Sequence, residues 1–231
     1  MTRAEQLTAS HAALEVRLSA ACAAAGRSRA QVVLIAVSKT HPVDDVAVLR
    51  DLGVRDFGEN RAEEAKQKAA QVSGVRWHFV GSLQTNKAAG VTAYADVVHS
   101  LDRPSLVAAL SRGAVRAERT VDVLVQVSLD GDPTRGGARV GEVPALAAAA
   151  AKAPGLRLAG VMAIAVRGGP TEAAAGFAVL RQVSQRMRED HPDASVVSAG
   201  MTGDLEQAVM AGATHLRVGT ALFGRRPPPL R

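Results

Sequence analysis

Apolar runs recur along the chain at near-regular intervals, and each is followed by a stretch in which apolar residues repeat every three or four positions. The runs predict strands over 32–39, 55–60, 76–81, 96–101, 121–129, 156–164, 195–200 and 215–218. Strands of a parallel sheet are covered on both faces, so they read as nearly continuous apolar segments rather than as alternation. The segments between them predict helices near 44–52, 61–71, 83–90, 104–112, 142–152, 171–190 and 203–211. One more helix opens the chain in MTRAEQLTASHAALEVRLSAACAAAG, where Glu5, Glu15 and Arg17 interrupt any long apolar core. That pattern is an amphipathic surface helix and not a secretory leader. Strict strand–helix alternation implies right-handed crossovers and a parallel sheet. Eight strands is the number that closes a barrel. The expected fold class is therefore α/β, a single (β/α)8 TIM barrel with an extra N-terminal helix, in one domain over 1–231. A doubly wound open sheet is the alternative, because strand order does not reveal closure. The terminal RRPPPLR reads as an extended tail.

Polar and glycine-rich residues gather at the carboxyl ends of these strands, the face on which barrels carry their chemistry. Lys39 closes the run VVLIAVSK, and Thr40, His41 and Pro42 break the pattern directly after it. It reads either as a lysine snorkelling to water or as a half-desolvated amine. In the second case its pKa falls from roughly 10.4 and it becomes a nucleophile for a Schiff base. Glu59 and Asn60 follow the second strand, Gly81 the third, His99, Ser100 and Asp102 the fourth, and Asp130 the fifth. Asn60 with Glu63 also has the spacing of a capping box at the next helix start. In WHFVGSLQTNK, Trp77 and Phe79 read as core and His78 points the other way. SAGMTGD and RVGTALFG leave the last two strands through Gly200, Gly203 and Gly219. Glycines and helix starts expose backbone N–H groups to an anion, and these two loops are where barrels commonly hold phosphate. The plain alternative is that Thr202 caps a helix and the glycines only make turns. Arg217, two residues before Gly219, either pairs with an ion at the rim or faces a cofactor's ring nitrogen. A lysine that forms an imine beside a phosphate anchor describes pyridoxal phosphate or a sugar-phosphate aldolase substrate.

Composition narrows these options. Hydrophobic residues make up 47% and charged residues 22% of the chain, as in ordinary globular proteins. Aromatic residues are only 3%, and the net charge of +6 comes from scattered basic residues. Both features argue against nucleic-acid binding. No stretch is long and apolar enough to span a membrane, and the lone Cys22 fits a reducing cytoplasm. The histidines lack metal-ligand spacing, so no metal is expected, and no G-x-S-x-G nucleophile elbow occurs.

The blocks LIAVSKTHP, FGEN, WHFVGSLQTNK, HSLDR, GVMAI and GMTGDLEQAVMAGATHLRVGTALFGRR run in order over nearly the whole chain. With them the chain resembles the pyridoxal phosphate homeostasis protein family, single-domain relatives of the alanine racemase N-terminal barrel. The resemblance implies that Lys39 carries pyridoxal 5'-phosphate as an aldimine and that Arg217 faces the pyridine nitrogen. It implies that Ser198, Met201, Thr202, Gly219 and Thr220 surround the phosphate; Asn60, by its own place in DFGEN, reads equally as a contact to the ring and as the start of the capping box. The expected role is intracellular cofactor homeostasis without turnover of its own, with apo forms of cofactor-dependent enzymes as recipients. A racemase-like enzyme is the alternative and a Schiff-base aldolase the third. Two departures stand out. Thr202 and Gly203 replace the family's usual Ser–Asp pair, and Arg135 stands where relatives often carry Lys. The second puts any additional lysine-dependent handling of the cofactor in doubt. Two-base racemisation needs an acid/base on each face of the substrate carbon. The only tyrosine, Tyr94, lies in a helix-to-strand connection.

Overall fold

Eight parallel strands pair in sequence order and the last returns to the first, closing a barrel. They are β1 (Val33–Val37), β2 (Asp56–Glu59), β3 (Arg76–Phe79), β4 (Val97–Leu101), β5 (Val121–Gln126), β6 (Leu156–Met162), β7 (Val196–Ser198) and β8 (His215–Val218). This is a computed structural model, and it describes residues 1–224; the RRPPPLR tail lies outside the described residues. The helices are α1 (Arg3–Ala24), α2 (Val43–Asp51), α3 (Ala62–Gln71), α4 (Ala88–Thr92), α5 (Pro104–Arg116), α6 (Val143–Lys152), α7 (Pro170–Asp190), α8 (Leu205–Met210) and α9 (Thr220–Phe223). Among the described residues no helix is long and apolar enough to cross a membrane. Closure excludes the open doubly wound sheet.

Two layers of side chains follow from the period-two geometry of strands. Outward residues such as Leu34, Ala36, Phe57, Trp77, Phe79, Val98, Leu216 and Val218 join one large cluster with the helices. Inward residues fill the barrel in two unlike halves. Val97, Leu124, Ala159 and Met162 make a small apolar cluster. Asp56, His78, His99, Ser198 and Arg217 share hydrogen bonds with one another. His78 thus points away from Trp77 and Phe79, as its alternation predicts.

α1 ties the end of the chain to its start. A capping box between Thr2 and Glu5 begins it, and Leu7, Leu14, Leu18, Ala21 and Cys22 form its buried face. Its arginines then reach the loops that follow β7 and β8. Arg17 donates to the Thr202 carbonyl at 2.9 Å and pairs with Glu206, and Arg3 donates to the Phe223 carbonyl at 3.0 Å.

Several element ends differ from the pattern. β7 has three residues, because Gly200 turns out of extended geometry at φ 90°. β5 stops at Gln126, and the chain continues only as an isolated bridge between Val127 and Ala138. The helix expected over 83–90 is a 3-10 turn (Thr85–Lys87) leading into α4. α9 was not predicted, since four residues carry no helical periodicity.

Candidate functional site

The alternation that places Ile35 and Val37 inside the barrel carries on to Lys39, so the lysine points inward beyond the end of β1. The strand stops at Val37, two residues short of Lys39, which lies in a turn. Extended pairing persists one residue further, with Ser38 N–H donating to Gly58 O at 3.0 Å. Thr40 then reverses the chain at φ 67°, a left-handed conformation costly for a β-branched residue. Lys39 is half-buried and lines a cavity of about 400 Å³ at the carboxyl mouth. Val37, Val80, Met162 and Ile164 supply its apolar walls, and Asn60, Arg217 and the loops after β7 and β8 supply its polar groups.

Arg217 reaches this cavity because β8 pairs with β1, with Ile35 opposite Arg217 and Ala36 opposite Val218. The guanidinium is buried, and burial pulls its pKa down to about 10, so it remains a cation near neutral pH. One nitrogen donates to Ser198 Oγ at 2.6 Å and another to the Ala163 carbonyl at 2.8 Å. Those bonds orient the plane from below and leave further N–H groups for the cavity. The same strand pairing sets Gly219 against β1. A Cβ at Gly219 would lie 3.2 Å from the Val37 carbonyl, so only a bare backbone packs there comfortably.

Two loops form the opposite wall. Met201, Thr202 and Gly203 follow β7, while Gly219 and Thr220 follow β8. Thr202 Oγ1 accepts from Ala221 N–H at 3.3 Å and so links them. Thr202 is not the cap of α8. That position belongs to Asp204, whose carboxylate accepts from Met201 N–H at 2.5 Å. Among the described residues, the N–H groups of Thr202, Gly203 and Gly219 make no backbone or side-chain hydrogen bond, so they are available to an anion.

A charged cluster fixes the backbone on both sides of Lys39, and the sequence reading passed over it. Lys68 on α3 is buried and donates to the Ser38 carbonyl at 2.7 Å, to Glu59 Oε1 at 2.6 Å and to Glu64 Oε1 at 2.8 Å. Ser38 Oγ donates to the same Glu59 oxygen at 2.6 Å, and Thr40 N–H donates to Glu64 at 2.6 Å. Burial raises the Glu59 pKa, against the bonds from Lys68 and Ser38. Glu59 therefore faces the helices and not the rim. The available signal was Glu64 and Lys68 at i,i+4 spacing after FGEN.

Seven of the eight expected site residues line the one cavity: Lys39, Asn60, Met201, Thr202, Arg217, Gly219 and Thr220. Ser198 does not line it; it is fully buried beneath Arg217. The capping box of Asn60 is absent. Arg61 takes the N-cap of α3, and the Asn60 side-chain oxygen is buried with no partner. Gly81 explains the close fit there, since a Cβ would fall 2.5 Å from the Asn60 carbonyl. His99 and Ser100 are buried within β4 and not at the rim. Arg135 lies outside the cavity, paired with Asp130 and donating to the Ala165 carbonyl at 2.6 Å. A second cavity, of about 440 Å³, opens at the amino mouth between Arg76, His99, Asp122, Arg157 and His215.

An inward lysine after the first strand and a buried arginine on the last thus share the carboxyl mouth of the barrel. The family described as Alanine racemase, N-terminal domain, matches residues 11–227, and the chain belongs to it. Within that class the chain belongs to the pyridoxal phosphate homeostasis protein family. The pyridoxal phosphate homeostasis protein of Mycobacterium leprae is 40% identical, over 96% of this chain and 93% of that protein. A protein of unknown function from Bifidobacterium adolescentis superposes with a TM-score of 0.89 at 30% identity, over 96% of each chain. PipY of Synechococcus elongatus PCC7942, solved with PLP bound, superposes with a TM-score of 0.78 at 35% identity. That match covers 84% of this chain and 93% of PipY.

Two expected outcomes follow. Lys68→Met leaves Glu59 buried without its cation and should destabilise the fold by about 3–5 kcal/mol in urea unfolding. Adding Glu59→Gln should recover part of that loss; no recovery would mean that the charge pair is not the cause. His215 concerns acid stability. Burial, with His78 adding to it, holds its pKa down at about 4 against the usual 6.5. The unfolded chain then binds the proton first, so stability is present above pH 6.5 and is lost as pH falls toward 4, by about 3 kcal/mol. Unfolding curves from pH 7 to 4 for the protein and His215→Gln should differ in slope. Equal slopes would remove His215 from the account.

Proposed function

We propose that the chain binds pyridoxal 5'-phosphate in the carboxyl-mouth cavity and serves as a cytoplasmic carrier that buffers this cofactor. The observation that carries the reading is the β1–β8 pairing, which sets Lys39, Arg217 and the Gly219–Thr220 loop on one cavity. The donor set fits the group. About 400 Å³ lies within the range of small-molecule sites. The walls are apolar for a flat ring, and Asn60, whose side-chain oxygen is buried without a partner, stands among the lining residues. The glycine loops offer N–H groups for a phosphate.

When bound, the cofactor supplies an aldehyde that a primary amine can capture and a ring that withdraws electrons. Lys39 is the capturing amine, held by the Ser38 and Thr40 anchors on either side. Arg217 directs an N–H at the pyridine nitrogen. A guanidinium that stays protonated cannot give up that proton readily, so the nitrogen remains neutral and the ring is a weak electron sink. Thr202, Gly203 and Gly219 would hold the phosphate through their backbone N–H groups, with Met201 and Thr220 bordering it. Ser198 acts one step back, through Arg217. The relatives' name supports the carrier role, as does the PLP bound by PipY. Residues 1–231 act as one cofactor-binding domain, and apo forms of cofactor-dependent enzymes are the recipients.

A racemase-like activity is the second reading, favoured by the alanine racemase N-terminal-domain match. Against it, the described residues that line the cavity offer no evident second acid/base beside Lys39. Tyr94, the only tyrosine, is outside it with its hydroxyl buried, and burial raises its pKa. The test is a titration with pyridoxal phosphate followed by absorbance. The protein should acquire a yellow band that Lys39→Ala lacks while remaining folded. Gly219→Asp should weaken binding by about 3 kcal/mol, roughly a hundredfold, by setting a carboxylate against the phosphate. The loaded protein should pass its cofactor to an apo-enzyme. Incubated with L-alanine it should form no D-alanine, and sustained D-alanine formation lost in Lys39→Ala would promote the racemase.

A further inference from the structure

Below Arg217 the barrel interior holds a row of polar side chains that the cofactor reading leaves unused. Ser198 Oγ lies 3.0 Å from His99 Nδ1. His99 Nε2 lies 2.9 Å from His78 Nδ1, and His78 Nε2 lies 2.9 Å from Asp56 Oδ1. The residues come from β7, β4, β3 and β2, so the row crosses the barrel. Ser198, His78 and His99 are all buried. Asp56 opens β2 at the amino end, and its side chain is 16% exposed.

The ends of the row dictate its direction. A guanidinium only donates and an ionised carboxylate only accepts. Arg217 donates to one lone pair of Ser198 Oγ, and toward a neutral His99 with a bare Nδ1 the serine hydroxyl sends its own hydrogen onward. His99 then carries its hydrogen on Nε2 and donates to His78 Nδ1. His78 in turn carries its hydrogen on Nε2 and donates to Asp56. Every bond is satisfied with both imidazoles neutral. Burial, which holds the His99 pKa well below the ordinary histidine value, agrees with that state. Other charged or titratable groups near the row are Arg76 and His215, the latter with its ring 6.4 Å from His78. Arg76 is engaged by Asp122 at 3.2 Å.

We propose that Ser198, His99, His78 and Asp56 form a one-way hydrogen-bond chain that positions Arg217 for the pyridine ring. The geometry of the cofactor's nitrogen contact is thereby set from the opposite mouth of the barrel. This rests on the pyridoxal phosphate reading of the cavity. The four are positioning residues, since none but Arg217 borders the cavity. A chain of aligned donors in a low-dielectric interior polarises each member, so Ser198 becomes a stronger acceptor for Arg217 than an isolated serine. Reversing any one bond would leave two hydrogens or two lone pairs facing each other, which a buried site tolerates poorly.

Two measurements test it. In the cofactor-free protein, nitrogen-15 NMR of the imidazoles at pH 7 should show His78 and His99 each protonated on Nε2 alone. A hydrogen on Nδ1 of either ring overturns the chain. Pyridoxal phosphate titrations of Ser198→Ala, Arg217→Lys and the double variant give the second readout. Ser198→Ala should weaken binding roughly tenfold and move the absorption band of the bound cofactor. In the Arg217→Lys background it should change neither, because the effect passes through the guanidinium. Losses that simply add overturn the positioning role, even with the expected tautomers. A protein that binds no cofactor overturns the cavity reading and this proposal with it, while the tautomers would still report the apo chain.

Discussion

The pairing of β1 with β8 is the constraint on which the site depends. Lys39 and Arg217 are far apart in sequence, yet closure makes their strands neighbours with Ile35 opposite Arg217. The inward face of β1 then delivers the lysine, and the inward face of β8 delivers the arginine and, two residues on, the glycine loop. An open sheet with the same strands would leave these groups at opposite edges. α1 reinforces the closure by hydrogen-bonding to the Thr202 carbonyl in the loop after β7 and to the Phe223 carbonyl at the end of α9. The N-terminal helix is thus part of the device that holds the two loops in place.

Around that closure the molecule spends buried charge selectively. Lys68, Glu59 and Glu64 meet on the outer side of the barrel, between β2 and α3, and hold the backbone at Ser38 and Thr40. Arg217 and its hydrogen-bonded partners lie inside. Both sets cost desolvation, and neither is needed to make a barrel, since Val97, Leu124, Ala159 and Met162 show how an apolar interior packs. One set anchors the residues on either side of Lys39, and the other orients Arg217, so each bears on a group that borders the cavity. A lysine on a turn has many rotamers, and an arginine has more; fixing the backbone of one and the plane of the other reduces the entropy lost when a ligand binds.

Strand count and order were legible, because long apolar runs report them well and eight strands is the number that closes a barrel; closure itself shows only in the pairing of β8 with β1. The cavity was legible because Lys39, the Met201–Gly203 turn and Gly219–Thr220 all follow predicted strand ends. Short-range signals misled where tertiary packing overrode them. Asn60 has capping-box spacing with Glu63, but its backbone is held against Gly81 and the helix starts one residue later. His99 stood near a strand end in sequence, but it follows Val97 on the inward face and bonds to His78 and Ser198 within the barrel. The resemblance set Ser198 beside the phosphate, and its bond to Arg217 became visible only in three dimensions. The Lys68 cluster joins β1, β2 and α3, and no local spacing encodes that meeting.

The central claim is that one inward lysine, set by the β1–β8 closure, captures the cofactor. Reduction of the loaded protein with borohydride, followed by digestion and mass spectrometry of every lysine-containing peptide, tests it most directly. The account predicts a single phosphopyridoxyl group, on Lys39. The same group on another lysine, or on none, would contradict it.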